Sequence, residues 1–198
     1  MPDGNVAFKL TWVYGPRGPF TGSCTAQGRK YNIEIDRKVW CSDKDSECAK
    51  IFRAGNTGAL PPDYRPCYEA DLFQHWSFGA GIYHTGPRRG LPMSINHVRP
   101  GKLGFFTAKR YDMDEADRRV IAGFEIAEVG PEADSDWGFI ITSELRSRVR
   151  VRDLDRAPRF WRYHQQNGPP RWGTGLFRYL PDAEALRLYE TVRAAAKK

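Results

Sequence analysis

The sequence predicts an α+β, mainly β chain, and three observations predict it. Short stretches of alternating apolar and polar residues recur between Gly- and Pro-bearing turns. A single stretch with helical spacing closes the chain, and the first third, where every cysteine lies, includes a polar segment with too few apolar residues to form a core of its own. At 198 residues the chain can bury a full core, as one large domain or one domain with appendages.

The elements follow in order. Residues 6–14 alternate enough for a strand, and Gly15-Pro16-Arg17-Gly18-Pro19 forces a turn. A second strand is expected over Lys30–Trp40, with Tyr31, Ile33, Ile35 and Val39 on one face against Asn32, Glu34 and Asp36. Residues 42–66 are polar and rich in Gly and Pro, which predicts irregular structure that needs a staple. Residues 72–84 are aromatic and glycine-rich and lead into the turn Gly86-Pro87-Arg88-Arg89-Gly90. Strands are expected over 103–109, 119–129, 137–142 and 146–152, a spacing that suits a barrel or sandwich. A helix follows, with Asp182 as N-cap and Ala185, Leu186, Leu188, Tyr189 and Val192 at helical spacing. A boundary near residue 70 divides a cysteine-bearing module, residues 1–70, from a β domain closed by a helix, residues 71–198.

The charge is unusual for such a composition. Lys and Arg number 31 against 24 Asp and Glu, a net charge of +7 with pI near 9.3. That excess suits a polyanionic partner, because each neutralised phosphate releases condensed counterions. No apolar run approaches the roughly 20 residues that span a bilayer, and Met1 to Leu10 lack a secretory pattern. The expectation is a cytoplasmic protein, nucleoid-associated if bacterial, with no membrane partner.

In a reducing compartment disulfides are disfavoured, so the four cysteines are informative. Cys24, Cys41, Cys48 and Cys67 all lie in the first third of the chain, separated by 16, 6 and 18 residues. Four thiolates are the number a tetrahedral structural Zn²⁺ requires, and they bracket the segment least able to fold by apolar burial. No CxxC pair is present, and four separate buried thiols are the alternative. A closed four-thiolate shell would leave no position for a catalytic water.

Three stretches interleave aromatic and basic residues: 75–84 with Arg88 and Arg89, 105–112, and 160–164 continuing into 171–179. Aromatic faces stack on unpaired or extruded bases at about 1–3 kcal/mol per base, and arginines hold phosphates. Most such rings in strands serve packing, and Phe105, Phe124 and Phe177 read as core. Trp161 and Tyr163 share a face if extended. Arg146, Arg148, Arg150 and Arg152 alternate along an expected strand. The carboxylates Asp112, Asp114, Glu115 and Asp117 suit a solvated turn better than a Mg²⁺ site. P-loop, dinucleotide, GxSxG and zinc-protease motifs are missing, as is a His-Asn-His nuclease pattern, so no catalytic residue is assigned.

Two strings, Pro100-Gly101-Lys102-Leu103-Gly104-Phe105-Phe106-Thr107 and Arg119-Val120-Ile121-Ala122-Gly123-Phe124-Glu125-Ile126, resemble the PUA superfamily, especially its EVE-like and SRA-like modified-base-reading branches. Trp172-Gly173-Thr174-Gly175-Leu176-Phe177-Arg178-Tyr179-Leu180 resembles a segment found beside nuclease modules of modification-dependent restriction proteins. The likeness spans about residues 72–190 and leaves out the cysteines. It implies a small β-barrel with flanking helices and an aromatic pocket for one base flipped out of double-stranded DNA, often 5-methylcytosine. Flipping costs a few kcal/mol, which stacking and hydrogen bonds to the base edge return. On that reading Trp76, Tyr83, Trp161 and Tyr163 wall the pocket, Asp112 accepts from the exocyclic amine, and Arg88, Arg89, Lys102, Arg110, Arg148 and Arg171 hold the backbone. The expected protein is a reader without nuclease activity, alone or beside a separate nuclease. The rival readings are an RNA-binding module of the same fold, a base- or nucleotide-modifying enzyme, and a protein-interaction module.

Overall fold

The computed structural model describes residues 3–15, 18–55, 68–83, 86–131, 139–164, 168–173 and 175–197. It is a mixed α/β structure with a curled half-barrel sheet and a few helices, compatible with a small β-barrel. Two compact units make it up: Met1–Lys9, Trp76–Ala108 and Met113–Lys198 form one, Leu10–His75 and Lys109–Asp112 the other. In chain order, β1 (Asn5–Lys9) belongs to the first, or sheet, unit. The second unit supplies β2 (Tyr14–Gly15), β3 (Gly18–Pro19), α1 (Ala26–Lys30), α2 (Val39–Ser42), α3 (Glu47–Arg53) and α4 (Leu72–His75). The sheet unit resumes with β4 (Ser77–Gly79), β5 (Leu103–Ala108), β6 (Arg119–Pro131), β7 (Phe139–Ser143), β8 (Val149–Arg150) and β9 (Phe177–Leu180), and ends in α5 (Asp182–Ala196).

The sheet runs β4-β7-β6-β5-β1-β9, with β8 paired to β6. β1 lies parallel to β5 and antiparallel to β9. Val6, Ala7 and Phe8 are wholly buried, as are Phe105 and Phe106 of β5, so these strands read as apolar runs rather than alternations. β6 is the spine: Arg119–Glu125 pairs with β5, and Ile126–Pro131 pairs with β7. Register shifts at Phe106/Thr107 and Ile126/Glu128 mark bulges, the usual device for bending a sheet.

Rings fill the core. Phe8 stacks on Phe78 with centroids 4.1 Å apart, and Phe106 meets Phe124 at 4.9 Å. Each such ring contributes about 1.5–3 kcal/mol by leaving water. Two glycines make room for them. A Cβ on Gly104 would lie 2.5 Å from the Phe124 ring opposite it, and one on Gly123 would lie 3.0 Å from Tyr189 of α5. Asn5 ties four elements: its Nδ2 donates to Leu180 O (3.3 Å) and Asp182 Oδ1 (2.7 Å), and its Oδ1 accepts from Leu103 N (3.0 Å). Asp182 opens α5 as its first residue instead of capping it; Pro181 holds the cap position, and the Asp182 N–H is satisfied by Asp3 Oδ2 at 3.1 Å.

The second unit corrects the strand expected over Lys30–Trp40. That stretch is helical: α1 runs on into a π-helical turn, Tyr31–Ile35, and α2 follows. Thr25 caps α1 by accepting from Gly28 N at 3.4 Å. The alternation misleads because the inward face is polar. Arg29 and Asn32 are buried while Ile35 is 66% exposed, and Arg29, Asn32 and Ile33 recur at helical spacing. Phe20 packs edge-on against Trp12 (5.4 Å) and Phe73 (5.9 Å). The expected basic strand 146–152 is also shorter, since Leu145–Ser147 is a 3₁₀ turn and only Val149–Arg150 pairs. Among the described residues no helix is long and apolar enough to cross a membrane.

Candidate functional site

Among the described residues of the sheet unit, residues 81–83 and 90–93 pair beside an exposed basic turn. Met93 N donates to Gly81 O (2.8 Å), Tyr83 N to Leu91 O (3.0 Å) and Gly90 N to Tyr83 O (2.8 Å), and Ile82 bridges Pro92. Residues 86–92 are all exposed. This tip carries Arg88, whose guanidinium lies 5.8 Å over the Tyr83 ring, together with Arg89 and Leu91, the last 54% exposed. Leu91 thus stands in water in the same exposed stretch as the two arginines, two residues beyond Arg89.

Trp76 and Arg148 are also brought together. The guanidinium sits 5.7 Å over the indole, donates from Nε to Ser143 Oγ (2.8 Å), and that hydroxyl donates to Trp76 O (2.7 Å). Trp76 takes a left-handed φ of 53°, a strained conformation for a bulky residue. Its ring contacts Phe106 and Phe124, both at 6.4 Å, so one side of it belongs to the core.

The other expected pocket residues lie elsewhere. Trp161 stands in a 3₁₀ turn, Phe160–Arg162, rather than an extended segment, and its Nε1 donates to Glu115 O at 2.6 Å. Tyr163 is 7% exposed, donates to Thr191 Oγ1 (3.0 Å), and has Arg187 4.4 Å over its ring; it packs against α5. The turn replaces the shared face that extension would have given the two rings. Trp172, 1% exposed, meets Phe160 at 5.0 Å and is covered by Arg118 at 4.9 Å. Arg118 is itself buried, donating to Thr107 O (3.3 Å) and to both oxygens of Glu115. This cluster was missed in the sequence because a buried arginine carries no local signal.

The remaining backbone candidates vary. Arg171 is exposed. Lys102 is held by Asp182 at 2.9 Å, and Arg110 pairs with Asp112 at 3.0 Å in the second unit. Of the carboxylates considered for Mg²⁺, Glu115 is engaged by Arg118 and Asp117 by Arg159 (2.9 Å). Arg146 and Arg152 are exposed, while Arg148 and Arg150 are half-buried.

In the second unit Cys24, Cys41 and Cys48 are thiols that line one cavity of about 10 Å³, together with Thr11, Val13, Arg29, Asn32, Ile33 and Glu69. Cys67 lies outside the described residues. Burial pushes the Cys24 thiol up to about 11, with Cys48 and Glu69 raising it further and Tyr14 N–H and Arg29 opposing. Cys41 is raised more strongly, by burial first and then by Glu69, Cys48 and Cys24. The Glu69 carboxyl is raised by burial and partly restored by the Thr11 N–H at 3.4 Å. Arg29, Asn32 and Glu69 were not legible as members of this group, because helix contacts from three segments assemble it. Among the described residues no group of three or more His, Cys, Asp or Glu side chains stands ready-made to hold a metal ion.

No protein-family model, curated protein or solved structure matches the chain.

Proposed function

We infer that the chain binds nucleic acid and reads a modified base, 5-methylcytosine in the first instance, extruded from double-stranded DNA, without cleaving the strand itself. The observation that carries the reading is the hairpin tip with Arg88, Arg89 and Leu91 in water. Arginines at such a tip grip phosphates. The exposed Leu91 that follows them can wedge into the stack and fill the space a flipped base vacates, as apolar wedges do in other DNA complexes. The net charge of +7 supports the same partner. Trp76, capped by Arg148, and Tyr83 are the two rings assigned to the extruded base. A PUA-like barrel is the fold we assign to the curled sheet, and a separate nuclease is the partner that would turn reading into cleavage.

The test is binding of the full chain to matched duplexes carrying cytosine, 5-methylcytosine, 5-hydroxymethylcytosine or 6-methyladenine, across a salt titration. Arg88→Ala and Arg89→Ala should each reduce the logarithmic salt slope by about 0.9, uniformly across sequences. Leu91→Ala should keep that slope and lose preference for the modified duplex. Equal affinity for all four duplexes removes the base-reading part. Affinity that ignores salt removes nucleic acid altogether, and preference for a matched RNA would move the reading to an RNA-binding module of the same fold.

A further inference from the structure

We propose that Cys24, Cys41 and Cys48 are thiolate ligands of one structural Zn²⁺ seated in the cavity they share. Three thiols from three separate segments line that space: Cys24 precedes α1, Cys41 lies in α2, and Cys48 lies in the first turn of α3. The cavity, about 10 Å³, is the size of a single water. A Zn²⁺ with sulfur at about 2.3 Å sits closer to its ligands than a water does, so the thiolates have room to close in on it.

The surroundings suit a zinc–thiolate group. Such a group is net negative, and Arg29, 2% exposed, brings a cation to the cavity wall. Asn32 Nδ2 lies 3.8 Å from Cys24 Sγ and donates toward it, which would orient that sulfur and stabilise its negative charge on a metal. The helices that carry or flank the thiols, α1, α2 and α3, have 5, 4 and 7 residues. All fall below the ~12–15 residues at which an isolated helix becomes marginally stable, so they need a tether. Side-chain rotation would close the thiolates on the ion. The fourth ligand is Glu69, whose carboxylate borders the cavity. With four protein ligands the site is closed and does no chemistry on substrate.

Metal analysis of the purified full chain should return one zinc per chain. Cobalt substitution should give the intense absorption of tetrahedral thiolate coordination. The thiols should resist a thiol reagent until a strong chelator is added. Cys24→Ser, Cys41→Ser and Cys48→Ser should each lose stoichiometric metal, and Asn32→Ala should bind zinc roughly 10–100-fold more weakly while keeping the thiolate spectrum. Loss of that spectrum in Glu69→Gln completes the ligand set. If Glu69→Gln keeps full spectrum and affinity, the site has an open position and the closed structural site is overturned. The wild-type chain decides the matter even where variants fail to fold. Thiols that react at the same rate with and without chelator, a cobalt form with only weak octahedral absorption, or a mass showing disulfides would each overturn the proposal.

Discussion

The sheet unit buries Val6, Ala7, Phe8, Phe105, Phe106, Val120, Ala122, Phe124 and Ile141 completely. The second unit buries Leu10, Trp12, Val13, Phe20, Ala49, Ala70 and Leu72, but sets Cys24, Cys48, Arg29 and Asn32 among them. One interior is carbon packed on carbon, with its buried polar side chains Asn5, Thr107, Arg118 and Ser143 all hydrogen-bonded. The other encloses a void edged by sulfur. The contrast is between close packing and a cavity of about 10 Å³ with polar walls, and it predicts different responses to the same kinds of substitution.

The largest effect belongs to the sheet. Phe124→Ala removes a wholly buried ring that meets Phe106 at 4.9 Å and Trp76 edge-on at 6.4 Å, and should cost about 3–5 kcal/mol in urea unfolding. A cost below about 1.5 kcal/mol would mean that the site collapses easily, and the packed-carbon half of the comparison would break.

A pair of glycine substitutions sharpens the same contrast. Gly104→Ala drives a methyl to 2.5 Å from the Phe124 ring and should destabilise by about 1–3 kcal/mol. Gly28→Ala, in α1, finds its nearest neighbours at 3.5 and 3.6 Å, ordinary contact distances, and should stabilise by about 0.4–1 kcal/mol. Opposite signs in thermal unfolding support the difference in slack; equal signs refute it.

Ser46→Ala probes how α3 is held. Ser46 Oγ accepts from Ala49 N at 3.1 Å and donates to Cys41 O at 3.1 Å, so it caps the helix that carries Cys48 and ties it to the preceding turn. Its loss should cost about 0.5–2 kcal/mol, read as a shift in urea midpoint with unchanged slope.

These particulars also show what the sequence made legible. β5, β6 and α5 stood out because alternation, apolar runs and helical spacing are local signals, and each is found within a few residues of its expected place. The parallel pairing of β1 with β5 had no such signal, because about a hundred residues separate the partners. The helix over 26–35 was hidden for a different reason: its inward face is Arg29, Asn32 and Ile33, chosen to line a cavity instead of a core. The turn at 86–90 was visible from Gly and Pro, whereas the exposure of Leu91 depends on the hairpin as a whole. Trp161 and Tyr163 looked alike in sequence, but a 3₁₀ turn sends them to different partners.

The smallest expected effect is the pH dependence that His164 adds in the sheet unit. His164 lies against Phe160 (5.4 Å) and Trp161 (5.6 Å), and burial, then Arg178, holds its imidazole below the ordinary 6.5. The unfolded chain therefore takes up a proton at a higher pH than the folded chain does. Between that ordinary value and the lower folded one, the unfolded state binds more protons, so stability falls as pH falls; above 6.5 the contribution is fully present. Asp182 does not blur this window. Its carboxyl is depressed by hydrogen bonds from Lys102 and Asn5, so its own contribution is lost only as pH drops below the ordinary 3.8. Glu69, raised above the ordinary 4.5 by burial, contributes with the opposite sign as pH falls, so the test is the difference between chains: from about pH 8 to pH 5 the wild type should lose melting temperature relative to His164→Gln. An unchanged slope in the variant would show that the ring cluster around Trp172 admits the charged imidazole as readily as water does, and that packing there is looser than in the strands beside it.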